Sequence, residues 1–356
     1  MSSGLPCMLL RGGTSKGAYF LASDLPAEPT ERDELLLRLM GSPDPRQIDG
    51  IGGGHPLTSK VAVVSPSPDP RADVDYLFLQ VAVDRAVVSD RQNCGNVLAG
   101  VGAFAVERGL VPAAEGSTRV RVRMVNSASL ATLTLHTPGR TVRYAGDATV
   151  AGVPRSAAPV LIEFSDTAGS ATGSLLPTGQ RLDRVQGLEV TCIDNGMPVV
   201  VLRAADVGRT GAESPAELEA DRELAARLRD LRLEAGERMG LGDVTTATVP
   251  KICLVAPPAA GGTVATRTFI PERVHASIGV LGAVTVATAV ALPGTVTAGV
   301  AGDPGPEGRV RVEHPSGVTD TVVRVDDAGH PTSSGLVSTA RKLFDGIVFP
   351  YEEDHR

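Results

Sequence analysis

Apolar positions recur along the chain in two rhythms. In "TERDELLLRLMGSP" the leucines fall on one helical face, Thr30 stands three residues before Asp33 as a cap, and Gly41-Ser42-Pro43 stops the run. The longer "SPAELEADRELAARLRDLRLEAGERMG" has Ser214 as N-cap, Pro215 at the first position and Glu217 completing a capping box. It predicts one amphipathic helix lying outside a sheet. Elsewhere the period is two: "VDYLFLQVAVD", "TRVRVRMVNSASLATLTLHT", "LEVTCIDNGMPVVVL", "KICLVA", "GRVRVEH" and "TVVRVDD" read as strands separated by Gly, Pro, Asp and Asn. The mixture predicts an α+β fold rather than the strict alternation of a parallel sheet.

Two stretches fit neither rhythm. Cys94 to Val106 and His275 to Gly294 are built of small apolar residues with almost no polar side. A helix apolar around its circumference is buried, and its Gly and Ala positions let strands approach closely. Each half therefore predicts a sheet curled around one central helix. "GGTSKGAYF" precedes Cys94, and "DNGMPVVV" precedes Ser277, by similar intervals of about 80 residues. This degenerate repeat predicts two domains related by a pseudo-twofold, 1–182 and 183–339, with a C-terminal segment, about 340–356, returning to the first. The boundary is placed between Thr178 and Gly187.

Composition narrows the class. With 42% hydrophobic and 21% charged residues the chain is a folded one, and 40 Gly with 26 Pro indicate many turns. Aromatic residues are 3% and Trp is absent, so Val, Leu, Ile and Ala fill the core. A net charge of −7 without a long basic run argues against nucleic-acid and membrane partners, yet leaves room for a small anionic ligand at local cations and helix N-termini. Cys7, Cys94, Cys192 and Cys253 are far apart and form no C-x-x-C pair, so free thiols are expected, with neither zinc nor disulfides. No basic flank precedes an apolar stretch near Met1, and no apolar run reaches 18 residues, which predicts a cytoplasmic protein. A homodimer is expected only as the commonest soluble assembly.

Three motifs carry candidate chemistry. "RGGTSKGAYFL" lacks the G-x-x-x-x-G-K-[ST] order of a phosphate loop, because Gly17 follows Lys16. It reads either as an anion nest made by Arg11, Gly12, Gly13, Thr14, Ser15 and Lys16, or as a Gly-rich turn between strands. In "GIGGGHPLTSKVAVV" the glycine cluster fails the dinucleotide fingerprint, since His55 takes its last position. What remains is Ser59-Lys60 at the mouth of an apolar strand. Lys60 is either a solvated edge residue or, if desolvated, a base with a lowered pKa. In "DRQNCGNVLAGVGAFAVERG", Cys94 opens the helix, where the macrodipole favours an anion; Asn93 and Asn96 can bond carboxylates and Gly95 admits a ligand to the backbone. The bland reading is an inert thiol. No histidine can be assigned to Cys94 as a nucleophile's base, so proton transfer fits better than acyl transfer. In the second half Asn195, Arg273 and Ser277 occupy the corresponding mouths. His275 reads as structural, and His314, Ser316 and Gly317 form a polar turn.

Together "RGGTSKGAYF", "MGSPDPRQIDGIGG", "LTSKVAVV", "QNCGN", "EVTCIDNGMPVV", "HASIGV" and "VEHPSG" resemble the 2-methylaconitate isomerase family of the diaminopimelate epimerase-like fold, over nearly the whole chain. The resemblance implies two similar domains, each a sheet around a central helix, and a proton-transferring pair that maps onto Lys60 and Cys94. Epimerase relatives use a second Cys opening the second helix; Ala276 and Ser277 stand there instead, which argues against a thiol pair. The implied substrate is a small polycarboxylate, a tricarboxylic keto acid, held by Arg11, Thr14, Ser15, Lys16, Ser59, Asn93, Gly95, Asn96, Asn195, Arg273, Ser277, Ser316 and Gly317. The implied reaction is keto–enol tautomerisation without cofactor or metal. Cys94 is expected at the carbon and Lys60 at the oxygen. The alternatives are an allylic shift of a double bond, and, in another class, a polycarboxylate-binding protein without activity.

Overall fold

Each of the two stretches without a polar face becomes a helix enclosed by strands. The computed structural model describes residues 4–90, 93–165, 167–245, 247–270 and 273–351. By its contacts the chain divides into two units, Met1–Ile162 with Ser338–Arg356, and Glu163–Val337. The first break therefore falls about twenty residues before the expected 182. The reason is local: Ala168 bridges Asn195, and Gly169 N–H donates to Asp194 O (2.7 Å), so the segment after Ile162 folds onto a strand of the second unit.

The first unit contains β1 (Leu5–Gly12), β2 (Ser15–Leu21), α1 (Pro29–Met40), β3 (Lys60–Pro66), β4 (Val74–Val81), β5 (Val88–Ser89), α2 (Gly95–Glu107), β6 (Gly116–Met124), β7 (Ser129–Thr137) and the start of β8 (Pro159–Ser165). Three antiparallel hairpins, β1–β2, β3–β4 and β6–β7, are joined side by side through the parallel pairs β2–β3 and β4–β6. Helix α2 touches β1, β2, β3, β4, β6 and β7. Every residue from Val97 to Ala105 is buried. Burying Val97, Leu98, Val101 and Phe104 contributes about 2 kcal/mol each. The small residues have specific neighbours: a Cβ on Gly100 would stand 2.4 Å from the Tyr19 hydroxyl.

The second unit repeats the plan with β9 (Asp183–Val185), β10 (Leu188–Asp194), β11 (Pro198–Arg203), α3 (Pro215–Ala220), α4 (Arg222–Arg238), β12 (Lys251–Ala256), β13 (Val264–Ile270), β14 (Arg273–Val274), α5 (Val280–Ala291), β15 (Arg309–His314) and β16 (Gly317–Val325). The hairpins β10–β11, β12–β13 and β15–β16 are again joined by parallel pairs, β11–β12 and β13–β15. The last strand, β17 (Pro331–Val348), begins on β16 and ends on β1. This is the α+β architecture expected, with one enclosed helix per unit.

Three helix boundaries differ from the sequence reading. Glu28, not Thr30, caps α1 by accepting from Glu31 N–H, with Pro29 at the first position. The capping box at Ser214 and Glu217 forms, but the long helix breaks at Asp221, which leaves helical geometry (ψ 93°) and caps α4 through Leu224 N–H. Helix α5 starts at Val280 with Gly279 as cap, because His275 Nδ1 accepts from Ser277 N–H (2.9 Å) and holds the preceding residues in a turn of their own. Among the described residues no helix is long and apolar enough to cross a membrane.

Candidate active site

In the first unit two tyrosines fix the mouth of α2. Tyr19 on β2 donates its hydroxyl to Val97 O (2.5 Å), and Tyr76 on β4 donates to Cys94 O (3.3 Å). Cys94 is therefore held as the N-cap of α2, half-buried, with its thiol free. The unpaired N–H groups and dipole of a thirteen-residue helix stand beside it. Burial and the nearby Cys94 charge push both tyrosine hydroxyls far above their ordinary pKa, so they remain neutral donors. The other three thiols are buried and pushed up to about 12.

Lys60 begins β3 and is only 7% exposed. Its Nζ donates to Gln80 Oε1 (2.6 Å) and lies 5.0 Å from the centre of the Phe78 ring. Desolvation lowers its pKa from 10.5, and the Cys94 charge opposes that shift, which places the two groups within electrostatic reach. Lys60 is thus a buried amine, not a solvated edge residue.

The glycines of RGGTSKG serve close approach. The tight β1–β2 turn lies on the first turn of α2: a Cβ on Gly12 would meet Asn96 O at 2.2 Å, and one on Gly13, which has φ +49°, would meet Asn96 Oδ1 at 2.2 Å. Asn96 Nδ2 donates to Thr14 Oγ1 (3.0 Å) and reaches Ser15 Oγ (3.4 Å). The anion nest is largely occupied by protein. Arg11 donates to Gly13 O (2.8 Å), Thr339 O (3.0 Å) and Thr339 Oγ1 (3.0 Å), while Gly13 N–H donates to Thr339 O (2.9 Å). Lys16 turns the other way, its Nζ 3.3 Å from the Cβ position of Gly53. Ser59 is completely buried; it donates to Val81 O (2.9 Å) and accepts from Gln47 Nε2 (2.7 Å). Its role is to fix the loop before Lys60. Gly95 is the first residue of α2, and Asn93 donates to Ser127 Oγ (2.6 Å). Asn93 Oδ1 is buried without a partner among the described residues.

The second-unit candidates are dispersed. Asn195, fully buried, accepts from Thr167 Oγ1 (2.6 Å) and donates to Thr288 Oγ1 (2.8 Å) and Ser334 Oγ (2.9 Å), which ties its turn to α5. Arg273 is exposed and bonds Glu219 (3.3 Å). Ser277 lies three residues ahead of α5. Ser316 is in the β15–β16 turn with its Oγ 3.2 Å from His314 Nδ1, and Gly317 begins β16. The sequence reading missed Gln80, Tyr19 and Tyr76. Gln80 had a signal, being a polar residue late in an apolar strand. Among the described residues no three His, Cys, Asp or Glu side chains converge as metal ligands.

Burial, then the charges of His275 and Arg267, push the His314 imidazole from 6.5 down to about 4. A basic group depressed in the folded state binds its proton first in the unfolded chain. Its contribution to stability is whole above about 6.5 and declines as pH falls towards 4, by about 3 kcal/mol. Urea unfolding between pH 7 and 4 is expected to show a stability loss that is smaller by about that amount in His314→Gln. Equal slopes in both proteins would contradict the assignment.

Comparison with known proteins decides the kinship. The description "PrpF protein" matches residues 3–350. The chain belongs to the PrpF family. It is 59% identical over 345 residues to the (4E)-oxalomesaconate Delta-isomerase of Novosphingobium sp. strain KA1, with 97% of each chain covered. It is 56% identical over 345 residues to the 4-oxalomesaconate tautomerase of Pseudomonas putida KT2440, covering 97% of this chain and 95% of that one. The crystal structure of a methylitaconate-delta-isomerase superposes with a TM-score of 0.90 at 35% identity, covering 98% and 95% of the two chains. This PrpF protein is an isomerase in class, and its fold is that of the family.

Proposed function

We propose that the protein is a cofactor-independent keto–enol tautomerase of 4-oxalomesaconate, working by proton transfer between the substrate, Lys60 and Cys94, in the breakdown of gallate-type aromatic acids. The observation that carries this reading is Lys60: a buried amine with lowered pKa, within electrostatic reach of a free thiol at a helix N-terminus. The relative named 4-oxalomesaconate tautomerase supports the substrate.

In such a keto acid the carbon between the carbonyl and the double bond carries acidic hydrogens. The neutral Lys60 amine takes one of them; the C–H electron pair passes into the new C=C bond, and the carbonyl pair moves onto oxygen. The N-terminus of α2 stabilises the negative dienolate. Cys94 then delivers its proton to the enolate oxygen, and the thiolate left behind sits near the Lys60 ammonium, from which it recovers a proton. This assignment reverses the one expected from sequence, since burial favours the neutral amine. Substrate carboxylates are bound at the α2 mouth by Asn96, Thr14 and Gly95 N–H.

A second reading is favoured by the relative named a Delta-isomerase. The same dienolate protonated at the distal carbon gives an allylic isomer. Incubation of 4-oxalomesaconate in D2O, followed by proton NMR, separates the two. Enzyme-dependent exchange at the carbon next to the keto group, with no deuterium fixed at the distal carbon, is the expected result. Deuterium at the distal carbon would establish the allylic reaction, and no exchange at all would remove this substrate.

A further inference from the structure

We propose that Gln80 is the positioning residue of the Lys60 base, holding the amine in one direction while denying it a counterion. This inference rests on the reading of Lys60 as a base. Gln80 pairs directly with Lys60 across the β3–β4 ladder. Its carboxamide has one permitted orientation: Nε2 donates to Ser59 O (2.8 Å) and Pro56 O (3.1 Å) and reaches Val81 O (3.4 Å). Turned over, the amide would set Oε1 against those three carbonyl oxygens and an NH2 group against an amine. Oε1 therefore faces Lys60 Nζ at 2.6 Å. One N–H of the amine is fixed, and the lone pair of its neutral form is left for a substrate proton.

Glutamate has nearly the same shape and the opposite consequence. A carboxylate at 80 would pair with the ammonium and stabilise the protonated form, which cannot accept a proton from carbon. The titratable groups on the strands flanking Lys60 are Lys16 and Tyr19 on β2 and Asp75 and Tyr76 on β4; the one carboxylate among them, Asp75, lies at the far end of the ladder opposite Ser65 and is held by Arg123 and Ser67. The charge that acts on the amine is that of Cys94. A neutral acceptor at 80 thus leaves the downward shift of the buried lysine unopposed at this position.

The test compares Gln80→Glu and Gln80→Met with the parent protein by two readouts. The first titrates Lys60 itself: competitive labelling with acetic anhydride across pH, followed at the Lys60 peptide by mass spectrometry, needs no substrate. The second is the pH dependence of kcat/KM with 4-oxalomesaconate. In Gln80→Glu the labelling midpoint is expected to rise by about one unit or more. Its kcat/KM at pH 7 is expected to fall about tenfold or more and to recover as pH is raised. Gln80→Met moves the midpoint down and lowers kcat more than it changes KM. A midpoint in Gln80→Glu within about 0.3 unit of the parent's overturns the proposal, even in an active enzyme. If Gln80→Glu does not fold, an unchanged midpoint in Gln80→Met overturns it equally. Midpoints that move as expected in a protein that leaves 4-oxalomesaconate untouched uphold the role of Gln80 at Lys60 and reject the substrate.

Discussion

Lys60→Ala and Cys94→Ala are each expected to lower kcat with 4-oxalomesaconate by about two to four orders of magnitude, the usual effect of losing a positioned acid or base. The geometry asks for this scale. Lys60 is a buried amine on which the charge of Cys94 acts, and Cys94 is the half-buried thiol at the α2 mouth, its three fellow cysteines being enclosed and raised to about 12. KM should change little, because the proposed function assigns carboxylate binding to Asn96, Thr14 and the helix N–H groups. The two act on one proton cycle, so the double variant should lose no more than about tenfold beyond the worse single. Steady-state rates on all three variants check this. Turnover within tenfold of the parent in both single variants would show that the pair is not the proton relay.

Gly12→Ala should lower the stability of the protein by about 3 kcal/mol, since the added methyl has no space. It would stand 2.2 Å from Asn96 O and 3.2 Å from the Asn96 carbonyl carbon, both backbone atoms of a turn already pinned by Tyr19 and Tyr76. Neither the hairpin nor the helix can yield without breaking those bonds. For a unit of this size the melting temperature should fall by about 6–12 °C in thermal unfolding. Gly279→Ala is the control, because a Cβ there meets nothing within 4 Å; it should cost less than about 1 kcal/mol. Equal losses in both variants would show that close approach is not why Gly12 is needed.

These results bear on what the sequence discloses. The enclosed helices were legible because α2 and α5 have no polar side, and the hairpins because alternation and turn residues are local signals. Cys94 was legible as a helix mouth for the same reason. Lys60 was not decided by its surroundings in sequence: it could be a solvated edge residue or a base, and what separates the two is desolvation together with a partner twenty residues away. Arg11 shows the converse. Its neighbours suggest an anion nest, but its guanidinium is taken by Thr339, 328 residues along the chain. Asn195 and Ser59 were polar residues at plausible mouths whose hydrogen bonds are filled from within the fold. Long-range pairings of this kind leave no periodic trace. The broken helix at Asp221 is different, since the aspartate is itself a good N-cap and marks the break in the sequence.

The course of strand β17 has a consequence for biosynthesis. The second unit is one unbroken length, Glu163–Val337, so all its hairpins have been made once that length leaves the ribosome. The first unit lacks a strand until the residues after Ser338 have been made, because Leu5 to Gly12 pair with residues between Ala340 and Val348. The part of the enzyme synthesised first is therefore the part finished last. Until then β1 presents an open edge, and Arg11 awaits the Thr339 that clamps it; the growing chain must be kept from pairing with its neighbours through most of its synthesis.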